Sequence, residues 1–234
     1  MMRKITLVFA IVVLIHSAKA GEEASSLYEA LRKKVFLVHD YKAQVDMKIE
    51  VNYMRIPKLS GLLYYKSPDK MRLERTGGLS ILPKKNINLT LSNLIPSGNV
   101  VVMDAGYSTL NGKKVRVMKI IPESDAGDIV LTKMWIDENA LLAMRTETTT
   151  RNDGTVIMEM QYAGYSQYAL PDQVTIFMDL KDYKLPKGVT LDYNESTDLK
   201  PKQNEKNQKG TIQIHYLKYD INKGISDAVF NQKN

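Results

Sequence analysis

Between Gln44 and Tyr53 the chain alternates without error: Val45, Met47, Ile49, Val51 and Tyr53 are apolar, and Gln44, Asp46, Lys48, Glu50 and Asn52 are polar. Strict period two predicts a β-strand with one buried and one wet face, because successive side chains leave a pleated strand on opposite sides. The pattern recurs. Gly61 to Lys66 and Met71 to Arg75 read as strands joined by Pro68-Asp69 turn chemistry. Ile87, Leu89 and Leu91 alternate with polar partners, and Val100 to Met103 is a short apolar run. Asn111-Gly112 is a hairpin turn that feeds Lys114 to Ile121, and Pro122 ends that strand. Ile129 to Ile136 holds the only tryptophan, Trp135; turns at Asp137-Glu138-Asn139 and Asn152-Asp153-Gly154 then separate Leu142 to Thr150 and Val156 to Tyr162. Val174, Ile176, Met178 and Leu180 alternate after Pro171, Gly210 to Tyr219 is the last strand, and Ala228-Val229-Phe230 is a closing apolar contact.

One segment has a different period. Leu27, Leu31, Val35 and Val38 form a stripe at helical spacing, so Ala24 to Val38 reads as a helix with Ser25 or Ser26 as its cap. Arg32, Lys33 and Lys34 lie off the stripe. About ten strands linked mostly by hairpins, behind one helix, predict an α+β fold: a strongly curved antiparallel sheet crossed by the helix. Lys184 to Lys209 is polar, with Pro186 and Pro201, and reads as a flexible loop inside a single domain spanning residues 21–234. The apolar face of such a sheet can close on a helix, on another sheet or on a greasy ligand.

The N-terminus reads as an export signal. Arg3 and Lys4 precede an uncharged run from Ile5 to Ile15, and Ala18-Lys19-Ala20 offers small residues for cleavage after Ala20. The run is too short to span a bilayer, which takes roughly 20 residues. No cysteine follows, so the mature chain is expected to carry no N-terminal lipid anchor, no disulfide and no thiol chemistry. Arg3, Lys4 and Lys19 leave with the signal and no acid does, so the formal charge falls from +7 to +4. Neither a basic helix nor an aromatic-basic motif is present, which argues against nucleic-acid binding.

Catalytic signatures are thin. Once the signal is removed, His39 and His215 are the only histidines, and there is no H-E-x-x-H, P-loop or G-x-S-x-G pattern. The expectation is a non-enzyme without cofactor or metal. Methionine says more: ten of the 12 fall in or beside predicted strands, although methionine is not a favoured strand former. They are either ordinary core filling or an adaptable apolar surface that repacks around a flexible ligand. Tyr53, Tyr64, Tyr65, Tyr162, Tyr165, Tyr168, Tyr216 and Tyr219 on or beside strands suit a cavity mouth and a sheet edge equally well.

Three stretches resemble the LolA-like family, which includes periplasmic carriers of lipoproteins. Gly61-Leu62-Leu63-Tyr64-Tyr65-Lys66-Ser67-Pro68-Asp69-Lys70-Met71-Arg72 is similar to its strand pair, G-x-φ-φ-φ-K-x-P-x-x-φ-R with φ apolar. Lys133-Met134-Trp135-Ile136-Asp137, Arg145-Thr146-Glu147, Asp153-Gly154 and Tyr162 resemble the later hairpins of its outer-membrane lipoprotein-sorting branch. Asn222-Lys223-Gly224-Ile225-Ser226-Asp227-Ala228-Val229-Phe230 is similar to its ending. The resemblance implies an incomplete β-barrel covered by the helix and a lid, with a concave apolar face for acyl chains. The expected function is periplasmic binding or carriage of lipid, or of lipoprotein acyl chains, in outer-membrane lipoprotein sorting. Val45, Met47, Ile49, Val51, Met71, Leu73, Met158, Met160, Ile176 and Met178 would line the groove. The implied partners are acyl chains and an inner- or outer-membrane protein, with the carrier itself a monomer. The alternative is a sensor of the same fold that binds an envelope protein. Carrier members latch the lid with an arginine directly before the strand-pair proline; here that position is Ser67.

Overall fold

The alternating segments are extended in the computed structural model, which describes residues 21–51, 54–55, 58–75, 95, 98–124, 127–152, 154–179 and 209–231. The residues expected to form an export signal, the Ile87 to Leu91 alternation and all but the last residue of the Lys184 to Lys209 stretch lie outside these. The strands are β1 (Asp40–Val51), β2 (Met54–Arg55), β3 (Leu59–Lys66), β4 (Lys70–Arg75), β5 (Val100–Leu110) and β6 (Lys113–Pro122). They continue with β7 (Ile129–Asp137), β8 (Leu142–Thr150), β9 (Thr155–Gln161), β10 (Gln173–Asp179) and β11 (Lys209–Ile221).

The strands form one antiparallel sheet in the order β4-β3-β1-β11-β10-β9-β8-β7-β6-β5, and β2 pairs with β1. From β5 to β10 it is a plain meander, the outcome expected of short turns between alternating segments. The last strand, β11, inserts between β1 and β10, which joins the meander to the N-terminal hairpins. The sheet is curved and open, with β4 and β5 at its edges.

The helix α1 covers residues 21–35. It is already helical at Gly21, whose carbonyl accepts from Ser25 Oγ (3.0 Å), so Ser25 bonds back within the helix rather than capping it. Its buried stripe is Ala24, Tyr28, Leu31 and Val35, with Leu27 only half buried. Val38 is also buried but lies beyond the helix, past the turn at residues 36–37.

The junction between α1 and β1 is clamped to the end of β11. Asn222 Oδ1 accepts the amides of His39 (2.8 Å) and Asp40 (3.3 Å), and its Nδ2 donates to the Leu37 carbonyl (2.8 Å). In return the buried Asp40 carboxylate accepts the amides of Lys223 (3.0 Å) and Gly224 (3.1 Å). Gly224 takes φ +80°, a value that a residue with a Cβ rarely adopts. After the clamp comes a short helix, α2 (Ala228–Asn231).

Candidate functional site

Cross-strand register assembles a row across the concave face. Ile49 faces Ile212, Ile212 faces Ile176, and Ile176 faces Met158. Met158 faces Thr146, Thr146 faces Met134, Met134 faces Met118, and Met118 faces Asp104 at the edge. A second row runs Met160, Val174, Ile214, Met47 and Leu59. Met47, Met118, Met134, Met158 and Met160 are all buried. Unbranched thioethers therefore make up much of the floor beneath α1, and they repack at low cost.

Eight of the ten residues expected to line a groove come together on this face. Val45, Met47, Leu73, Met158, Met160 and Ile176 are buried in one cluster, with Ile49 and Met71 half buried against it. The backbone register of Val51 opposite Gly210, and of Met178 opposite the same residue, places both positions at the far end of the face from α1. Periodicity alone did not single out Met118 and Met134, because Val115 and Val117 compete for the inward face of β6. In the structure those valines turn outward and pack against Trp135 on the convex side.

That choice turns Arg116 inward, opposite Ile136. Its guanidinium is held by Asp104 (Nη2 to Oδ2, 2.9 Å) and Glu138 (Nη1 to Oε1, 3.1 Å), and Glu23 of α1 lies 3.7 Å away. The hydrogen bonds from Arg116 hold the Asp104 carboxyl below the usual carboxylate range. Lys34 Nζ donates to the Ala140 carbonyl in the β7–β8 turn (2.7 Å). These contacts fix α1 across the strand ends nearest that turn. Ser67 lends only its amide, which donates to the His39 carbonyl (2.8 Å).

Below the C-terminal end of α1 the face becomes aromatic. Tyr41 stacks on Tyr65 with centroids 5.1 Å apart, Tyr216 stacks on Tyr219 at 5.1 Å, and Tyr219 meets Tyr41 and Tyr165 edge-on at 5.2 and 4.9 Å. Tyr219 Oη donates to the buried Pro171 carbonyl (2.7 Å), and Tyr162 Oη donates to the Ala143 carbonyl (2.8 Å). Burial pushes the Tyr41, Tyr162, Tyr216 and Tyr219 phenols up. A cavity of about 30 Å³ remains here, lined by Val35, Val38, Tyr65, Met160, Tyr216 and Tyr219 among others. That is space for about one water, so this cavity as it stands has no room for an acyl chain.

Two buried hydroxyls behave differently. Tyr28 Oη on α1 and Thr146 Oγ1 on β8 have no hydrogen-bond partner among the described residues. Burial pushes the Tyr28 phenol up to about 12. Beside Thr146, the buried Thr132 and Thr148 pair with each other at 3.3 Å. Sequence reading missed these threonines because threonine is an ordinary strand former; their signal is the inward phase of Thr146 and Thr148 in a strand whose intervening residue, Glu147, is polar.

His39 and His215 are exposed. No group of three or more His, Cys, Asp or Glu that could hold a metal occurs among the described residues. Two stretches that carried the resemblance meet in space: Lys66 Nζ donates to the Ile225 carbonyl (3.0 Å) and Asp227 (2.7 Å), and Arg72 Nη1 donates to the Val229 carbonyl (2.8 Å). They dock the C-terminal tail on the β3–β4 hairpin.

No known family profile matches the sequence, and no curated protein matches it. Solved structures do match. A domain from Vibrio parahaemolyticus described as an outer membrane lipoprotein-sorting protein domain aligns over 90% of this chain and 97% of its own, with TM-score 0.53 and 11% identity. A DUF1329 family protein from Desulfovibrio piger aligns over 89% and 97%, with TM-score 0.52 and 12% identity. A LolA superfamily protein from Nitrosomonas europaea aligns over 89% and 97%, with TM-score 0.52 and 8% identity. At such identities the likeness speaks to architecture, and the open curved sheet with α1 across its concave side agrees with it: the chain has the LolA-like fold.

Proposed function

We propose that this protein is an exported, periplasmic binding protein whose concave face takes an acyl chain, from free lipid or from a lipoprotein, as α1 lifts. The observation that carries the reading is the methionine row Met118, Met134 and Met158 beneath α1. The cavity beside α1 holds only about one water, so binding there requires α1 or the methionines to move. Exposing Tyr28, Leu31 and Val35 costs roughly 5–9 kcal/mol at about 1.5–3 kcal/mol each. A sixteen-carbon chain recovers roughly 12 kcal/mol at about 0.8 kcal/mol per methylene. Affinity is therefore expected to rise steeply once chains exceed about ten carbons. The test is native mass spectrometry and lipid extraction of protein purified from an envelope without detergent. Bound acyl material supports the reading; its absence, with no uptake of either a fluorescent fatty acid or its methyl ester, defeats it.

A second reading, a protein that binds an envelope partner, is favoured by one observation. On the convex side of the β5 edge, Val101 pairs with Ile121 and Met103 lies nearby, and they are 47%, 37% and 49% exposed. Exposed apolar residues on an edge strand invite a partner. This reading expects capture of a specific envelope protein that survives delipidation and is lost in Met103→Lys.

A further inference from the structure

Tyr28 and Thr146 are 1% and 0% exposed, and neither hydroxyl has a hydrogen-bond partner among the described residues. A buried hydroxyl left unpaired is costly, on the order of 1–3 kcal/mol, and native interiors rarely leave one so. Tyr28 belongs to the buried cluster that holds Met134 and Met158, and these are the cross-strand neighbours of Thr146. One hydroxyl thus comes from the helix and the other from the floor of the same interior. Thr132 and Thr148 lie one row further from α1, since β8 starts at Leu142 beside the turn that α1 touches.

We propose that Tyr28 and Thr146 form a polar subsite for the carbonyl of an ester- or amide-linked acyl chain. The inference rests on the acyl-binding reading and adds the ligand's polar group and its direction. The hydrocarbon lies along the methionines under α1, the carbonyl oxygen accepts from the two hydroxyls, and the alcohol or amine side leaves past Thr148 toward the far end of the face. A pure hydrocarbon leaves both hydroxyls unpaired. A free fatty acid brings a carboxylate into a core with no cation beside Thr146 in its row, which costs more than a neutral carbonyl.

The experiment is displacement of a neutral fluorescent fatty-acyl methyl ester by methyl oleate and by 1-octadecene, for the wild type, Tyr28→Phe, Thr146→Val and the convex-face control Thr149→Val. The wild type and control are expected to prefer the ester by roughly five- to tenfold, as one neutral hydrogen bond allows. Tyr28→Phe and Thr146→Val should bring the ratio toward one. Without ligand both should melt no lower than the wild type, because each removes an unpaired group. A ratio retained in both variants overturns the subsite while leaving acyl binding intact. Ligand-free variants that melt several degrees lower overturn it too, since the hydroxyls would then be bonded already, for instance to a buried water. A wild type displaced by neither compound defeats this inference and the acyl-binding reading together.

Discussion

The tyrosine end and the methionine band lie on the same concave face and are built on opposite terms. At the tyrosine end, rings stack and meet edge-on within 5.2 Å, and Tyr219 gives its hydroxyl to Pro171. Rings with few rotatable bonds, locked by a bonded tip, hold one shape. In the methionine band Met118, Met134 and Met158 are unbranched, and the hydroxyls of Tyr28 and Thr146 have no partner there. One region holds the fold and the other leaves polar capacity and packing freedom unused. Under the proposed function, the difference separates a core that only stabilises from one that exchanges its own side chains for a ligand's.

Substitutions break that comparison most directly at Tyr219. Tyr219→Ala removes a buried ring from the stack and is expected to cost about 3–5 kcal/mol in denaturant unfolding. Removing only the oxygen separates the two regions further. Tyr219→Phe leaves the Pro171 carbonyl unpaired and should cost about 1–3 kcal/mol, whereas Tyr28→Phe should cost nothing or stabilise. Equal losses from the two would erase the distinction. The edge of the methionine row gives a pH handle. The folded-state pKa of Asp104 lies below its unfolded value, so its contribution is complete above about pH 4 and fades as pH falls through the lower folded value. Melting curves of the wild type should therefore lose more as the pH falls below about 4 than those of Asp104→Asn. The smallest effect is expected in the band itself: Met134→Leu and Met158→Leu should each cost less than about 1.5 kcal/mol, since volume is kept. They should narrow the range of acyl chain lengths bound, read by probe displacement.

The fold was largely legible because one-sided sheets write their period into the chain. Val45, Met47 and Ile49 declare a buried face, and most strands follow the alternation within a few residues. Legibility failed where polar residues continue a strand. Asp104-Ala105-Gly106 looks like the end of a short run, yet β5 passes through it by a register shift between Asp104 and Tyr107 and reaches Leu110. Asp40 hides the start of β1 because its carboxylate faces a backbone partner supplied by Lys223 and Gly224, far away in sequence. The alternation puts Val45, Met47 and Ile49 in one phase, and it carries no information about what fills the space above them. The small size of the cavity, the inward turn of Arg116 and the unpaired hydroxyls depend on which side chains meet across the sheet. Lys66 and Arg72 show the same limit: they stand out as motif residues, and only the packing reveals that they tie down the tail.

The most direct test of acyl binding by the methionine band is photolabelling with a fatty-acid ester that carries a diazirine in mid-chain, followed by mass-spectrometric mapping. The expected result is saturable labelling of Met118, Met134, Met158 and the facing α1 segment around Tyr28, competed away by unlabelled ester. Labelling confined to the convex residues Val101, Met103 and Ile121, or none that saturates, would contradict it.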